Sequence, residues 1–156
     1  MLNDARFAKV GLAITHWEWV TDIHGRPLAF AGLRLRSRDM LKIGRLMNDR
    51  GRWRDRQVVP EKWVAESMVP QVSTGARLFA LASENIGYGY QWWLGRVTWR
   101  GREVNWASAI GNGGQRIFVV PELSLGVVIT AGDYDSGQIH QTESRLMSAI
   151  LQSARE

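Results

Sequence analysis

No cysteine occurs anywhere in the sequence. That excludes disulfides, thiolate metal sites and a cysteine nucleophile. The three histidines, His16, His24 and His140, are too far apart in sequence to show a metal-ligand spacing. Neither a metal nor a cofactor is expected. No apolar run approaches the roughly 18 residues that a membrane helix needs, so no membrane partner is expected. The opening Met1-Leu2-Asn3-Asp4-Ala5-Arg6 lacks the apolar centre of a signal peptide. No targeting segment is expected in this chain, and the compartment stays open. Repeats and Pro/Gly/Ser-rich linkers are also missing, and 156 residues suit one domain.

Lysine is nearly absent, whereas arginine is plentiful: three Lys against seventeen Arg give most of the net charge of +5. Eight of the arginines fall between Arg34 and Arg56. Such a block is either a solvated helix and loop or a phosphate-contacting face. Asp39, Asp49 and Asp55 interrupt it, and no helix-turn-helix, zinc-finger or RNA-binding signature accompanies it. No nucleic-acid partner is expected.

The hydrophobic pattern predicts an α+β chain. Residues 3–10 read as the tail of a helix, and residues 14–20 as a strand with Trp17 and Trp19 on a core face. The turn cluster His24-Gly25-Arg26-Pro27 follows. A helix begins at Ser37 as cap, carries Met40, Leu41, Ile43, Gly44, Leu46 and Met47 at helical spacing, and stops at Gly51. Pro60 starts a second helix, residues 61–68, with Trp63, Val64 and Met68 inward. Residues 71–85 read as a polar, irregular loop. Strands follow over residues 87–94, 104–109, 115–120 and 125–131, the last two joined as a hairpin by residues 121–124. An amphipathic helix over residues 139–154, with Leu146, Met147, Ile150 and Leu151 inward, closes the chain. This order predicts a single α+β unit, with a helical and loop region over residues 1–86 and antiparallel strands plus a packing helix over residues 87–156.

Three stretches in this order resemble class C β-lactamase-like serine hydrolases. They are GLRLRSRDMLKIGRLMNDRGRW with VVPEKWVAES, then YGYQWW, then ASAIGNGGQRIFVVPELSLGVVIT. The likeness runs from about Gly11 to the C-terminus and is nearest the branch of 6-aminohexanoate-dimer hydrolases and related esterases. It implies a single partial domain, the C-terminal part of the β-lactamase/transpeptidase-like fold. In that family a serine of a Ser-x-x-Lys motif attacks an ester or amide carbonyl, Lys and Tyr move protons, and a third motif lines the opposite wall.

The carry-over is partial. The third motif maps to Asn112, Gly113 and Gly114, with the backbone N–H of Gln115 as an oxyanion donor; the alternative is a flexible turn entering a strand. Tyr90, Trp92 and Asn112 are candidate substrate contacts, Tyr90 and Trp92 sharing one strand face by alternation. His140 reads as solvated. Ser-x-x-Lys is absent: Arg6, Asp39 and Val59 stand three residues before Lys9, Lys42 and Lys62. Tyr-x-Asn is absent as well, and no Gly-x-Ser-x-Gly elbow replaces them.

The resemblance therefore implies one active-site wall of a hydrolase whose ester or amide substrate is engaged only in a full-length context. The chain alone is expected to be inactive, and its exposed sheet edge to be covered by self-association or by a missing N-terminal segment. The rival reading is an autonomous, non-catalytic binding module using the arginine block.

Overall fold

The computed structural model describes residues 12, 14, 16–74 and 83–154. The elements are β1 (Trp17–Trp19), β2 (Leu33–Leu35), α1 (Ser37–Asn48), β3 (Arg52–Trp53), β4 (Arg56–Gln57), α2 (Glu61–Ser67), β5 (Val72–Ser73), β6 (Ser83–Tyr88), β7 (Trp93–Trp99), β8 (Arg102–Ile110), β9 (Arg116–Val120), β10 (Leu125–Ile129) and α3 (Gly137–Ser153). The last six strands form one antiparallel sheet in the order β10-β9-β8-β7-β6-β5. An α+β chain with an antiparallel sheet, a preceding helical region and a closing helix is therefore what forms.

Local chemistry explains the meander. Between β7 and β8, Arg100 and Gly101 both take positive φ, 50° and 80°, the geometry of a tight two-residue hairpin. Between β9 and β10 a short 3-10 turn, Pro121–Leu123, ends at Ser124 in the left-handed region. Every residue of β9 is buried, which accounts for its unbroken apolar run after Arg116.

Two layers cover the sheet. On one face Trp106 stacks on Phe118 at 5.3 Å, and Trp99, Val104 and Val120 join Met147 and Leu151 of α3. The Trp99 indole N–H donates to the Leu151 carbonyl at 2.9 Å, tying α3 to the sheet. On the other face Leu94, Ala107, Ile117 and Val119 meet Met47 of α1, Val64 of α2 and Trp92. Each large apolar side chain shut away in this manner contributes about 1.5–3 kcal/mol. A smaller cluster of Leu12, Ile14 and Leu46, with Trp17 and Leu35 against it, lies beside β1–β2.

Several local expectations need correction. Residues 87–94 are not one strand: β6 ends at Tyr88, Gln91 sits at φ 65°, and β7 starts at Trp93. Ser37 does not cap α1; Arg36 is the capping residue, and the Ser37 hydroxyl lies 3.5 Å from Thr130 Oγ1. Trp63 and Leu146 face outward, at 53% and 46% exposure, because Val64 and Met147 take the inward rows of their helices. The expected loop at residues 71–85 contains β5 and the start of β6. The last strand stops at Ile129 rather than at residue 131. Trp17 packs against the Leu12–Ile14–Leu46 cluster as expected, but Trp19 does not join it: its indole donates to the Leu28 carbonyl at 2.8 Å. The helix tail expected at residues 3–10 lies outside the described residues.

Candidate functional site

Antiparallel connections alternate between the two ends of the sheet. The β6–β7 turn, the β8–β9 turn and the segment after β10 therefore share one end. This end carries all the candidate site residues: Tyr90 and Trp92 in the first turn, and Asn112, Gly113, Gly114 and Gln115 in the second.

The β8–β9 turn is specifically built. The Gly111 N–H donates to the Gln115 carbonyl at 2.7 Å, and the Gly114 N–H donates to the Gly111 carbonyl at 3.2 Å. Gly114 has φ 82°, giving a three-residue hairpin loop with a left-handed third residue. A Cβ on Gly114 would come within 2.5 Å of Ile139 Cγ1 and 3.2 Å of Glu143 Oε1, so both conformation and space demand glycine. The loop is closely packed against α3 and is not a loose connector.

Side chains brace this turn to the segment after β10. Gln115 Oε1 accepts the Gly113 N–H at 3.1 Å. Gln115 Nε2 donates to the Ala131 carbonyl at 2.8 Å and to the Tyr134 hydroxyl at 3.4 Å. Asn112 Nδ2 donates to Asp135 Oδ1 at 2.8 Å. Tyr134 and Asp135, which carried no sequence signal, thus belong to the same surface.

Tyr90 and Trp92 do not share a face. The turn at Gln91 breaks the alternation, so Trp92 enters the core at 8% exposure while Tyr90 remains 41% exposed. The Tyr90 ring stacks on Trp63 with centroids 5.1 Å apart.

Beneath the turn lies an ion pair missed by sequence reasoning. Arg116, the first residue of β9, pairs with Glu143 of α3, their side chains 2% and 1% exposed. His140 is not simply solvated: its Nδ1 lies 3.0 Å from Arg116 Nη2 and 3.4 Å from Glu143 Oε2. Burial pushes the Arg116 pKa down, and the Glu143 carboxylate pulls it back up. A signal was available: Glu143 stands four residues before Met147 and eight before Leu151, a charge on the apolar stripe of α3.

Several serine hydroxyls are committed to structural bonds. Ser67 Oγ donates to the Trp63 carbonyl at 2.7 Å, Ser144 Oγ to the His140 carbonyl at 2.8 Å and Ser153 Oγ to the Ile150 carbonyl at 2.8 Å. Among the described residues, no cluster of three or more His, Cys, Asp or Glu side chains could hold a metal ion, and no helix is long and apolar enough to cross a membrane. A cavity of about 360 Å³ opens beside α2, lined by Met68, Pro70, Leu94, Arg96, Asn105 and Glu122. It extends toward the opposite end of the sheet, where Glu122 Oε1 accepts both the backbone and side-chain N–H of Asn105, so it is separate from the braced turn.

The fold has counterparts among solved structures. "Putative 6-aminohexanoate-dimer hydrolase" from Bacillus anthracis superposes over 85% of this chain with a TM-score of 0.63 and 26% identity. This chain has the β-lactamase-like fold. A "putative beta-lactamase" from Bacteroides dorei also matches, over 97% of the chain, at TM-score 0.60 and 17% identity, a likeness of fold alone. The β-lactamase-like chain spans 32% of the first neighbour and 49% of the second. No family model and no curated protein matches its sequence.

Proposed function

We propose that this β-lactamase-like chain supplies one wall of the active site of a serine hydrolase acting on esters or amides, and that it is catalytically silent alone. The observation that carries the reading is the braced Gly111–Gln115 turn at the end of the sheet, in a chain with neither Ser-x-x-Lys nor Tyr-x-Asn. In this reading Asn112 meets the substrate, Gly113 and Gly114 let it approach the backbone, and the Gln115 N–H faces the developing oxyanion. Gly113 offers no hydroxyl to a substrate carboxylate, which favours esters and small amides over β-lactams. Tyr90, paired with Trp63, lies at the rim.

The arginine block is the weaker basis for a function. Arg34 pairs with Glu18 at 3.0 Å, Arg45 with Asp49 at 3.3 Å and Arg50 with Glu61 at 3.3 Å, so its charge is partly neutralised within the chain.

The deciding experiment is an assay of the isolated chain with a chromogenic ester and a chromogenic cephalosporin. No turnover is expected, because joint loss of nucleophile and base leaves only a small residual enhancement. Turnover titrated stoichiometrically by a serine-directed covalent inhibitor would overturn the silent-wall reading. An in-frame upstream Ser-x-x-Lys in the gene would support the hydrolase reading; a gene with none would count against it.

A further inference from the structure

We propose that His140 is a proton-operated latch beneath the Gly111–Gln115 turn: neutral, it holds Arg116 in place; protonated, it lets Arg116 go and competes with it for Glu143. The inference concerns the turn itself and stands whether or not that turn serves a hydrolase.

Three side chains meet at the latch. His140 Nδ1 lies 3.0 Å from Arg116 Nη2 and 3.4 Å from Glu143 Oε2, the same carboxylate oxygen that Arg116 Nη2 holds. A guanidinium only donates hydrogen bonds. At the shorter of the two histidine contacts Nδ1 is therefore the acceptor, which requires a neutral imidazole with its proton on Nε2. A proton added at Nδ1 reverses that contact. A donor then faces a donor, and two positive charges stand 3.0 Å apart where little water screens them. Of its two neighbours, only Glu143 Oε2 can accept from the new N–H, and Arg116 already holds that oxygen. Burial works against the charge on Arg116, so a second cation beside it is poorly tolerated. Arg116 and Glu143 are 2% and 1% exposed, whereas the His140 side chain is 35% exposed. The imidazole is thus the member that meets water, takes the proton and moves.

The latch reaches the turn by two routes. Ile139 immediately precedes His140, and Glu143 follows one helical turn later; these two lie under Gly114, where a Cβ would be 2.5 Å from Ile139 Cγ1 and 3.2 Å from Glu143 Oε1. Arg116 directly follows Gln115, whose side chain holds the Gly113 N–H and the Ala131 carbonyl. Asp135 and Tyr134, on the segment after β10, are engaged by Asn112 and Gln115 and brace the turn from that side. The Asp39–Lys42 pair belongs to α1, on the opposite face of the sheet. Because only the neutral ring holds Arg116, protonation and loosening favour each other. The turn is held at the alkaline end of the histidine range, about pH 5 to 8, and released as pH falls through it.

The test follows the Gly111, Gly113 and Gly114 amides of the chain by heteronuclear NMR across that pH range, together with the His140 ring protons. The expected result is one shared midpoint, with exchange protection of the three amides falling about tenfold on the acid side. His140→Gln keeps a carbonyl acceptor for Arg116 and cannot titrate, so the turn should stay protected at acid pH. His140→Leu removes the acceptor and should leave protection low at both ends of the range, with circular dichroism reporting that the chain remains folded. Amide shifts that persist unchanged in His140→Gln overturn the proposal, because the response then belongs to another group such as Asp135. Amides that stay still while the His140 ring titrates overturn it as well.

Discussion

Glu143 closes on Arg116 across the junction of α3 with the first residue of β9, and both side chains are shut off from water. The pair connects two parts of the candidate site, because Arg116 follows Gln115 directly and Glu143 Oε1 lies beneath Gly114. Isolated charges this deep are costly; a matched pair is tolerated only when both partners remain.

Removing one partner should therefore be far worse than removing both. Glu143→Leu leaves a buried guanidinium with one carboxylate fewer and should cost about 3–5 kcal/mol. Arg116→Met combined with Glu143→Leu should cost clearly less than either single change. Urea denaturation of the three variants measures this double-mutant cycle, and additive losses would show that the pair is not coupled.

Gly114→Ala should destabilise the chain by about 1–3 kcal/mol, since φ 82° and the contact with Ile139 both oppose a Cβ. Gly132→Ala is the control, because nothing lies within 4 Å of its Cβ position and its φ is not positive. Thermal melts of the two variants should separate; equal melting temperatures would mean that the turn relaxes freely.

The two aromatic environments should respond differently. Phe118→Ala, in the stacked pair with Trp106 under α3, should cost about 3–5 kcal/mol. Trp63→Ala should cost much less, because its ring is half in water and stacks on an exposed Tyr90. Denaturant midpoints give the comparison directly.

The arginine block should not bind nucleic acid with useful affinity. True phosphate contacts by several arginines give tight binding at low salt that falls steeply as salt rises. Fluorescence anisotropy with a short duplex and a single strand should show only weak, rapidly screened association. Micromolar binding at physiological salt, lost on replacing Arg50, Arg52, Arg54 and Arg56, would favour a binding module instead.

Much of the sheet was legible in the sequence. The runs around β9 and β10 and the stripe of Met147, Ile150 and Leu151 follow local periodicity, which depends only on whether neighbouring residues face the same side. The string Asn112-Gly113-Gly114-Gln115 also marked the turn, because a left-handed third residue calls for glycine wherever the chain folds. The failures came where a backbone turn interrupts a pattern. Gln91 in the left-handed region divides one aromatic run into two strands, and Trp92 and Tyr90 part company there. Ser37 lost the capping role because the chain enters α1 one residue earlier, at Arg36.

The sequence by itself determined the class of fold, the presence of the glycine turn and the absence of Ser-x-x-Lys and Tyr-x-Asn motifs, since each depends on residue identity and near-neighbour spacing. Only the tertiary structure decided which side chains hold that turn. Gln115 reaches Ala131 sixteen residues away, Asn112 reaches Asp135 twenty-three away, and Arg116 meets Glu143 on another element. No periodicity encodes such contacts. They exist because the antiparallel meander returns β10 beside β9 and lays α3 over the sheet, bringing distant polar groups together, and for Arg116 and Glu143 burial makes an unpaired partner costly.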